Sequence, residues 1–244
     1  KNASGSLIRL PSKHIPIRVR LCRLSPWGRA ALVYQYSMEN LTIIEGQGDA
    51  AIADWLASQL RERMDQSDGP VTITVPGGST PFPIMEQLLG HDLDWTRLVV
   101  WPGDDRIVSE DHAASNTGQL RKLFEPAGAE VVTLNEMEAA VPPFALAWLG
   151  MGADGHIASL FPNTDPKVDD ARPVVRLTPD PLPPEAPFDR ISLTMPSLLA
   201  SDRLVFVIRG AEKRSVLDQA IARDNDLPIA RLLAAARQPV TCFI

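Results

Sequence analysis

The sequence predicts an α/β protein with a mainly parallel sheet. Three observations carry that expectation. Short β-branched apolar runs alternate along the chain with stretches of helical period. Runs such as Leu204–Ile208 are continuously apolar, as parallel strands covered on both faces are. Suspicious loops follow several of these runs, and ligand sites in open α/β sheets lie beyond the carboxyl ends of strands.

The elements follow in order. Leu41–Glu45 alternates like a strand. The stretch from Ala50 to Arg63 sets Ile52, Trp55, Leu56, Leu60 and the adjoining Met64 on one helical face. Val71–Val75 is a β-branched strand that stops at Pro76-Gly77-Gly78. Phe82–Leu89 reads as a helix opened by Pro81, a good first-turn residue. Leu98–Trp101 is the next apolar strand, and Ser115 or Asn116 is placed to cap a helix running to about Phe124. Val131–Leu134 and Phe144–Leu149 are further apolar segments. Residues 178–187 hold five prolines and read as a rigid loop. Strands at Ile191–Thr194, Leu204–Ile208 and Val240–Phe243, with a helix from about Ala211 to Arg223, complete the pattern. No internal repeat and no second domain is apparent.

Length and composition suit a single sizeable core: 244 residues, 45% apolar and 22% charged. No apolar run approaches the roughly 18 residues needed to span a bilayer. Cys22 and Cys242 have neither CxxC nor zinc-ligand spacing. A disulfide between them is one reading, and free thiols in a reducing cytoplasm are the simpler one. The net charge of −6 conceals an asymmetry. Residues 1–37 hold seven of the 24 basic residues and none of the 30 acidic ones, so the body alone carries −13. Such a body is too acidic for a general nucleic-acid binder, and any anion must be held by a small local site. Residues 1–37 show no clear period and read as a basic leader or tail outside the fold, with residues 38–244 as one domain. A transit peptide or a nucleic-acid arm are rival readings of the leader, weakened by Pro11, Pro16 and Pro26 and by the lack of an amphipathic helix.

Four loops carry candidate chemistry. The first, Pro76 to Pro81, combines Gly77 and Gly78 with the hydroxyls of Ser79 and Thr80 at a helix N-terminus, which suits a phosphate. It also reads as a plain strand-to-helix turn, and it lacks the Gly-Lys-Ser/Thr ending of a Walker loop. The second, Gly103-Asp104-Asp105-Arg106, sets a cation beside two carboxylates. That pattern fits phosphate, sugar hydroxyls or proton transfer, and equally a solvated turn. No ligand set for a metal accompanies Asp104 and Asp105. In the third, Gly150 to Pro162, Gly152, Asp154 and His156 stand among glycines that permit a tight exit. A carboxylate beside an imidazole orients it and supports the protonated form that a water-activating base must reach. His14, His91 and His112 lack that setting and read as structural or surface residues. In the fourth, Lys213 sits in the first turn of a helix, where dipole logic favours an acid unless an anion is bound.

In this order the loops resemble the 6-phosphogluconolactonase family, part of the wider group that includes glucosamine-6-phosphate deaminases. The resemblance spans roughly residues 41–243. It rests on Gly77-Gly78-Ser79-Thr80-Pro81, Asp104-Asp105-Arg106, Ser115-Asn116, the run from Gly150-Met151-Gly152 to Phe161-Pro162, and Gly210-Ala211-Glu212-Lys213. After Asp-Gly-His the deaminases typically read Ile-Ala-Phe-Asn-Glu-Pro. Here Ala158-Ser159-Leu160-Phe161-Pro162 is the lactonase form. The resemblance implies a modified Rossmann-like three-layer fold and hydrolysis of a phosphosugar lactone in the pentose phosphate pathway, with no cofactor and no metal. It implies His156 as the base that takes a proton from water, with Asp154 positioning it. Gly77, Gly78, Ser79, Thr80, Asp104, Arg106, Gly152 and Lys213 would hold the substrate, and amides of the glycine-rich loop would stabilise the oxyanion. The expected partner is the small-molecule substrate, without nucleic acid or membrane, in a monomer or small homo-oligomer. Three departures stand out. Asp105 replaces a usual Glu, Thr117 replaces a frequent aromatic, and residues 132–144 are short and lack a helix. The rival functions are an amino-sugar-phosphate deaminase and a non-enzymatic sugar-phosphate sensor.

Overall fold

The computed structural model describes residues 18–22, 31–35, 40–184 and 186–244, the first two segments as backbone alone. The strands of the main sheet are β1 (Arg18–Cys22), β2 (Ala31–Gln35), β3 (Leu41–Ile44), β4 (Val71–Val75), β5 (Leu98–Pro102), β7 (Glu130–Val131), β8 (Leu146–Leu149), β11 (Leu204–Val207) and β12 (Val240–Phe243). A separate small sheet contains β6 (Asp104–Arg106), β9 (Val174–Leu177) and β10 (Arg190–Leu193). The helices are α1 (Asp49–Asp65), α2 (Pro81–Leu88), α3 (Asn116–Phe124), α4 (Met195–Leu199), α5 (Ala211–Ala222) and α6 (Pro228–Ala235).

The main sheet runs β1-β2-β3-β12-β11-β8-β4-β5-β7. Every pairing from β3 to β7 is parallel, and only β2 runs against the rest, antiparallel to both β1 and β3. Alternation along each strand divides the apolar residues between two cores. Ala147 and Leu149 of β8 join Leu204 and Phe206 of β11 on the face covered by Leu217 of α5 and Ile229, Leu232 and Leu233 of α6. Leu146, Trp148 and Val205 face the other way, toward Ile52, Leu56 and Leu60 of α1, Ile84 and Met85 of α2, and Leu120 and Phe124 of α3. The result is the three-layer Rossmann-like arrangement. Each fully buried leucine in these layers contributes about 2–5 kcal/mol when judged by truncation to Ala.

From β4 the chain moves outward through β5 to β7, and from β8 it moves the opposite way through β11 to β12. The order therefore reverses between β4 and β8. The crevice beyond their carboxyl ends is where doubly wound sheets hold ligands.

Two expectations change. Gly103–Arg106 was expected as a loop and Ile191–Thr194 as part of the main pattern. Instead β6 and β10 pair antiparallel, Arg106 opposite Arg190, and β9 completes the small sheet on the far side of β10. The Leu193 N–H donates to the Gly103 carbonyl (3.0 Å), fixing this sheet at the end of β5. The second change concerns residues 1–37, expected outside the fold. The two described segments within them, β1 and β2, pair at the edge of the sheet, with Val33 opposite Ile44. Backbone groups along the open edge of β3 need partners, and β2 supplies them. The remainder of 1–37, and the side chain of Cys22, lie outside the described residues. Cys242 is a free, buried thiol.

Candidate active site

All four loops meet in one cleft of about 360 Å³ at the reversal between β4 and β8. Gly77, Gly78, Ser79, Thr80, Asp104, Arg106, Gly152, His156 and Lys213 line it. Asp154 does not, but it binds His156 from behind.

In the third loop, the segment after β8 folds tightly on itself. The Gly152 N–H donates to the His156 carbonyl (2.9 Å), and the Gly155 N–H donates to the Gly152 carbonyl (3.1 Å). The Asp154 carboxylate accepts from the His156 main-chain N–H (3.2 Å) and meets Nδ1 of the ring at 2.6 Å. With Nδ1 engaged there, Nε2 is the ring nitrogen left for a water in the cleft. Partial burial pushes the Asp154 carboxyl up, but the hydrogen bond and charge of His156 outweigh it and hold it below the usual carboxylate range. The imidazole also packs on Phe161, ring centroids 4.5 Å apart. Gly152 is required sterically: a Cβ there would lie 2.2 Å from His156 Cε1 and 2.5 Å from Asp154 Oδ1. The loop's amides at Gly152, Gly155 and His156 are all engaged internally. Those three are therefore not free to meet an oxyanion, which leaves that role to other amides.

Another wall of the cleft is built by β6, whose alternation separates its three polar residues. Asp104 and Arg106 face the cleft, while Asp105 is buried at the start of α3. Asp105 accepts from the N–H groups of Arg106 (2.7 Å), Asn116 (2.6 Å) and Thr117 (2.9 Å) and from Ser115 Oγ (3.1 Å). Ser115 itself caps the helix, accepting from the Gly118 N–H at 3.0 Å. Arg106 Nη1 donates to the Ala114 carbonyl (2.8 Å) and to Asn116 Oδ1 (3.2 Å). Among the described residues Nε and Nη2 of Arg106 make no hydrogen bond, so one edge of the guanidinium is open to a bidentate oxyanion. Lys213 is likewise without a partner among the described residues. Behind Arg106 lies a further buried cation, Arg190, whose guanidinium donates to the carbonyls of Phe188 (2.5 Å) and Ala186 (2.7 Å). Burial, and then the Arg106 charge, pushes Arg190 below the usual arginine value. Withdrawal from water likewise pushes the Asp104 carboxyl up, although the Ser159 hydroxyl donates to it and Arg106 and His156 oppose the rise.

Asn116 and Ser159 are the side chains that loop-by-loop reading left unassigned. Asn116 stood out only as a cap candidate and as part of the Ser115-Asn116 motif, and Ser159 only within the Ala158–Pro162 run, neither with a role of its own. Among the described residues no cluster of three His, Cys, Asp or Glu side chains is placed to hold a metal ion. No described helix is long and apolar enough to cross a membrane.

Residues 47–241 match the family model described as glucosamine-6-phosphate isomerases/6-phosphogluconolactonase. The chain belongs to this family. A 6-phosphogluconolactonase of Neisseria meningitidis (strain Z2491) is 32% identical over 225 residues, covering 82% of this chain and 95% of its own. A 6-phosphogluconolactonase of Helicobacter pylori (strain J99) is 32% identical, covering 71% of this chain and 83% of its own. The crystal structure of a 6-phosphogluconolactonase from Shewanella baltica superposes with a TM-score of 0.71 at 27% identity, covering 82% of this chain and 96% of the other.

Within the glucosamine-6-phosphate isomerase/6-phosphogluconolactonase family, the departures of this member now have locations. The shorter Asp105 is fully used as a buried anchor for the amino end of α3 and does not reach the cleft. The Thr117 hydroxyl is buried without a hydrogen-bond partner among the described residues. Residues 132–143 contain no helix.

Proposed function

We propose that this protein hydrolyses 6-phospho-D-glucono-1,5-lactone to 6-phosphogluconate in the pentose phosphate pathway of the cytoplasm, with His156 as the general base. One observation carries the reading. An imidazole held by a carboxylate lines the cleft, and two cations with open N–H groups, Arg106 and Lys213, line the same cleft. The curated relatives named 6-phosphogluconolactonase support the substrate. The free buried thiol of Cys242 fits a reducing compartment.

The lactone carbonyl is already electrophilic, so the protein need only supply a nucleophile and hold the geometry. Nε2 of His156 takes a proton from water as the oxygen attacks C1, and Asp154 stabilises the imidazolium that forms. The C1–O bond of the ring then breaks, and the imidazolium returns the proton to the departing ring oxygen. General-base assistance of this kind contributes about 10²–10⁴-fold. The phosphate, distant from C1, is gripped by Arg106, Lys213 and the hydroxyls of Ser79 and Thr80, and its binding energy orients the ring.

The test is acid release from freshly prepared 6-phosphogluconolactone, with ammonia release from glucosamine 6-phosphate as the competing readout. Rapid acid release without ammonia is expected. Acid release no faster than the spontaneous rate overturns the assignment, and ammonia production transfers it to the deaminase branch.

A further inference from the structure

Asn116 is only 2% exposed, yet it lines the cleft. Its side-chain amide ties the start of α3 to two other segments, β6 and the Gly77 backbone. Oδ1 accepts from Arg106 Nη1 (3.2 Å), and Nδ2 donates to the Asp104 carbonyl (2.9 Å). The Gly77 backbone lies directly on it: a Cβ at that position would fall 2.0 Å from Asn116 Oδ1. The Asn116 main-chain N–H is itself pinned by Asp105 Oδ1 at 2.6 Å, which fixes the backbone from which the amide projects.

The chemistry of that amide suits one task. A guanidinium offers five N–H donors in a plane, and acceptors on one side decide which edge remains open. Here Ala114 and Asn116 both take Nη1, leaving Nε and Nη2 free among the described residues. An amide oxygen fixes the group without neutralising it. A carboxylate at the same point would pair with Arg106 and compete with any incoming oxyanion.

We propose that Asn116 is the positioning residue that aims Arg106 at the phosphoryl group and keeps its charge available. Its contact with Gly77 also locks the glycine-rich loop to the arginine, so the two halves of the phosphate site are set together. The proposal rests on the phosphosugar reading of the cleft. Its test therefore includes a readout that does not depend on turnover.

Inorganic phosphate affinity, measured by titration calorimetry, and kcat and KM for 6-phosphogluconolactone are compared in the wild type, Asn116→Asp and Asn116→Ser. For Asn116→Asp, phosphate affinity should fall and KM should rise, each roughly 10–100-fold, the range for a lost charge-assisted hydrogen bond, with kcat within about threefold. Asn116→Ser should move both in the same direction by less, and it decides the matter where the Asp variant does not fold. A fall in kcat and in unfolding midpoint with phosphate affinity unmoved would show a merely structural role and overturn the proposal. A wild type that binds phosphate but hydrolyses no lactone would sink the lactonase reading, while the phosphate titrations still judge Asn116.

Discussion

Gly152→Ala is the sharpest probe of the His156–Asp154 pair because it adds one methyl group and removes nothing. The φ of Gly152 lies outside the left-handed region, so alanine meets no backbone penalty there. The whole effect is steric. The new Cβ would sit 2.2 Å from His156 Cε1, 2.3 Å from Nδ1 and 2.5 Å from Asp154 Oδ1, where ordinary contact begins at 3.4 Å. The ring and the carboxylate must therefore retreat by about 1 Å, a displacement that costs roughly 10²-fold in rate when it occurs at reacting groups. That corresponds to about 2.7 kcal/mol of barrier. The new methyl group meets His156 and Asp154 and not Arg106 or Lys213, so KM should stay within about threefold. The assay is initial-rate acid release from fresh lactone, with thermal unfolding run in parallel. A kcat within about threefold of wild type, in a folded variant, would show that the exact seat of the imidazole does not matter.

Other perturbations address the remaining parts. Lys213→Ala should raise KM for the lactone about 10–100-fold with a smaller change in kcat, since it removes a phosphate cation and not the base; unchanged KM would remove Lys213 from the site. Asp105→Ala strands the donors of Arg106, Asn116, Thr117 and Ser115. It should cost about 3 kcal/mol and lower the unfolding midpoint by roughly 6–12 °C; a shift under 2 °C in thermal denaturation would contradict the anchoring role. Asp104 gives a pH-dependent test. Its folded pKa lies above the ordinary 3.8, so the charged form is disfavoured in the fold. The resulting loss of stability is absent well below 3.8 and reaches its full extent above the folded pKa. Asp104→Asn removes that loss, so its unfolding midpoint should exceed wild type at pH 8 and converge with it toward pH 4. Equal midpoints at pH 8 would show that Asp104 carries its charge comfortably.

Much of the fold could be read from local pattern. The β-branched run at Val71–Val75 and the apolar run at Val240–Phe243 became strands with those same ends, and Ile52, Trp55, Leu56, Leu60 and Met64 all point into the core. These segments announce themselves because burial imposes a period on their own side chains. The small sheet gave no such notice. Its first strand is Asp-Asp-Arg, with no apolar alternation, and it exists because of pairing with β10 and the Gly103–Leu193 hydrogen bond. Helix α6 begins at Pro228 and spans only eight residues, but Ile229, Leu232 and Leu233 keep the i, i+3, i+4 spacing of one buried face, so its signal is present in the sequence although the segment is short.

The candidate site shows the same division. Glycine, hydroxyl, histidine and cation signals were visible because each belongs to one loop at the end of a strand. The bridging role of Asn116 was not, because its partners are the Gly77 backbone, the Asp104 carbonyl and the Arg106 guanidinium, brought to it only by the tertiary fold. Asp105 was similarly ambiguous: sequence shows a pair of carboxylates, and only strand alternation sends one into the cleft and the other to the helix.

The most direct test of the central claim is kcat of His156→Ala on freshly prepared 6-phosphogluconolactone beside the wild type, with phosphate affinity and unfolding midpoint measured on the same samples. The account predicts a fall of about 10²–10⁴-fold in kcat while affinity and midpoint hold. Turnover close to wild type in a folded, phosphate-binding variant would mean that some other group activates the water.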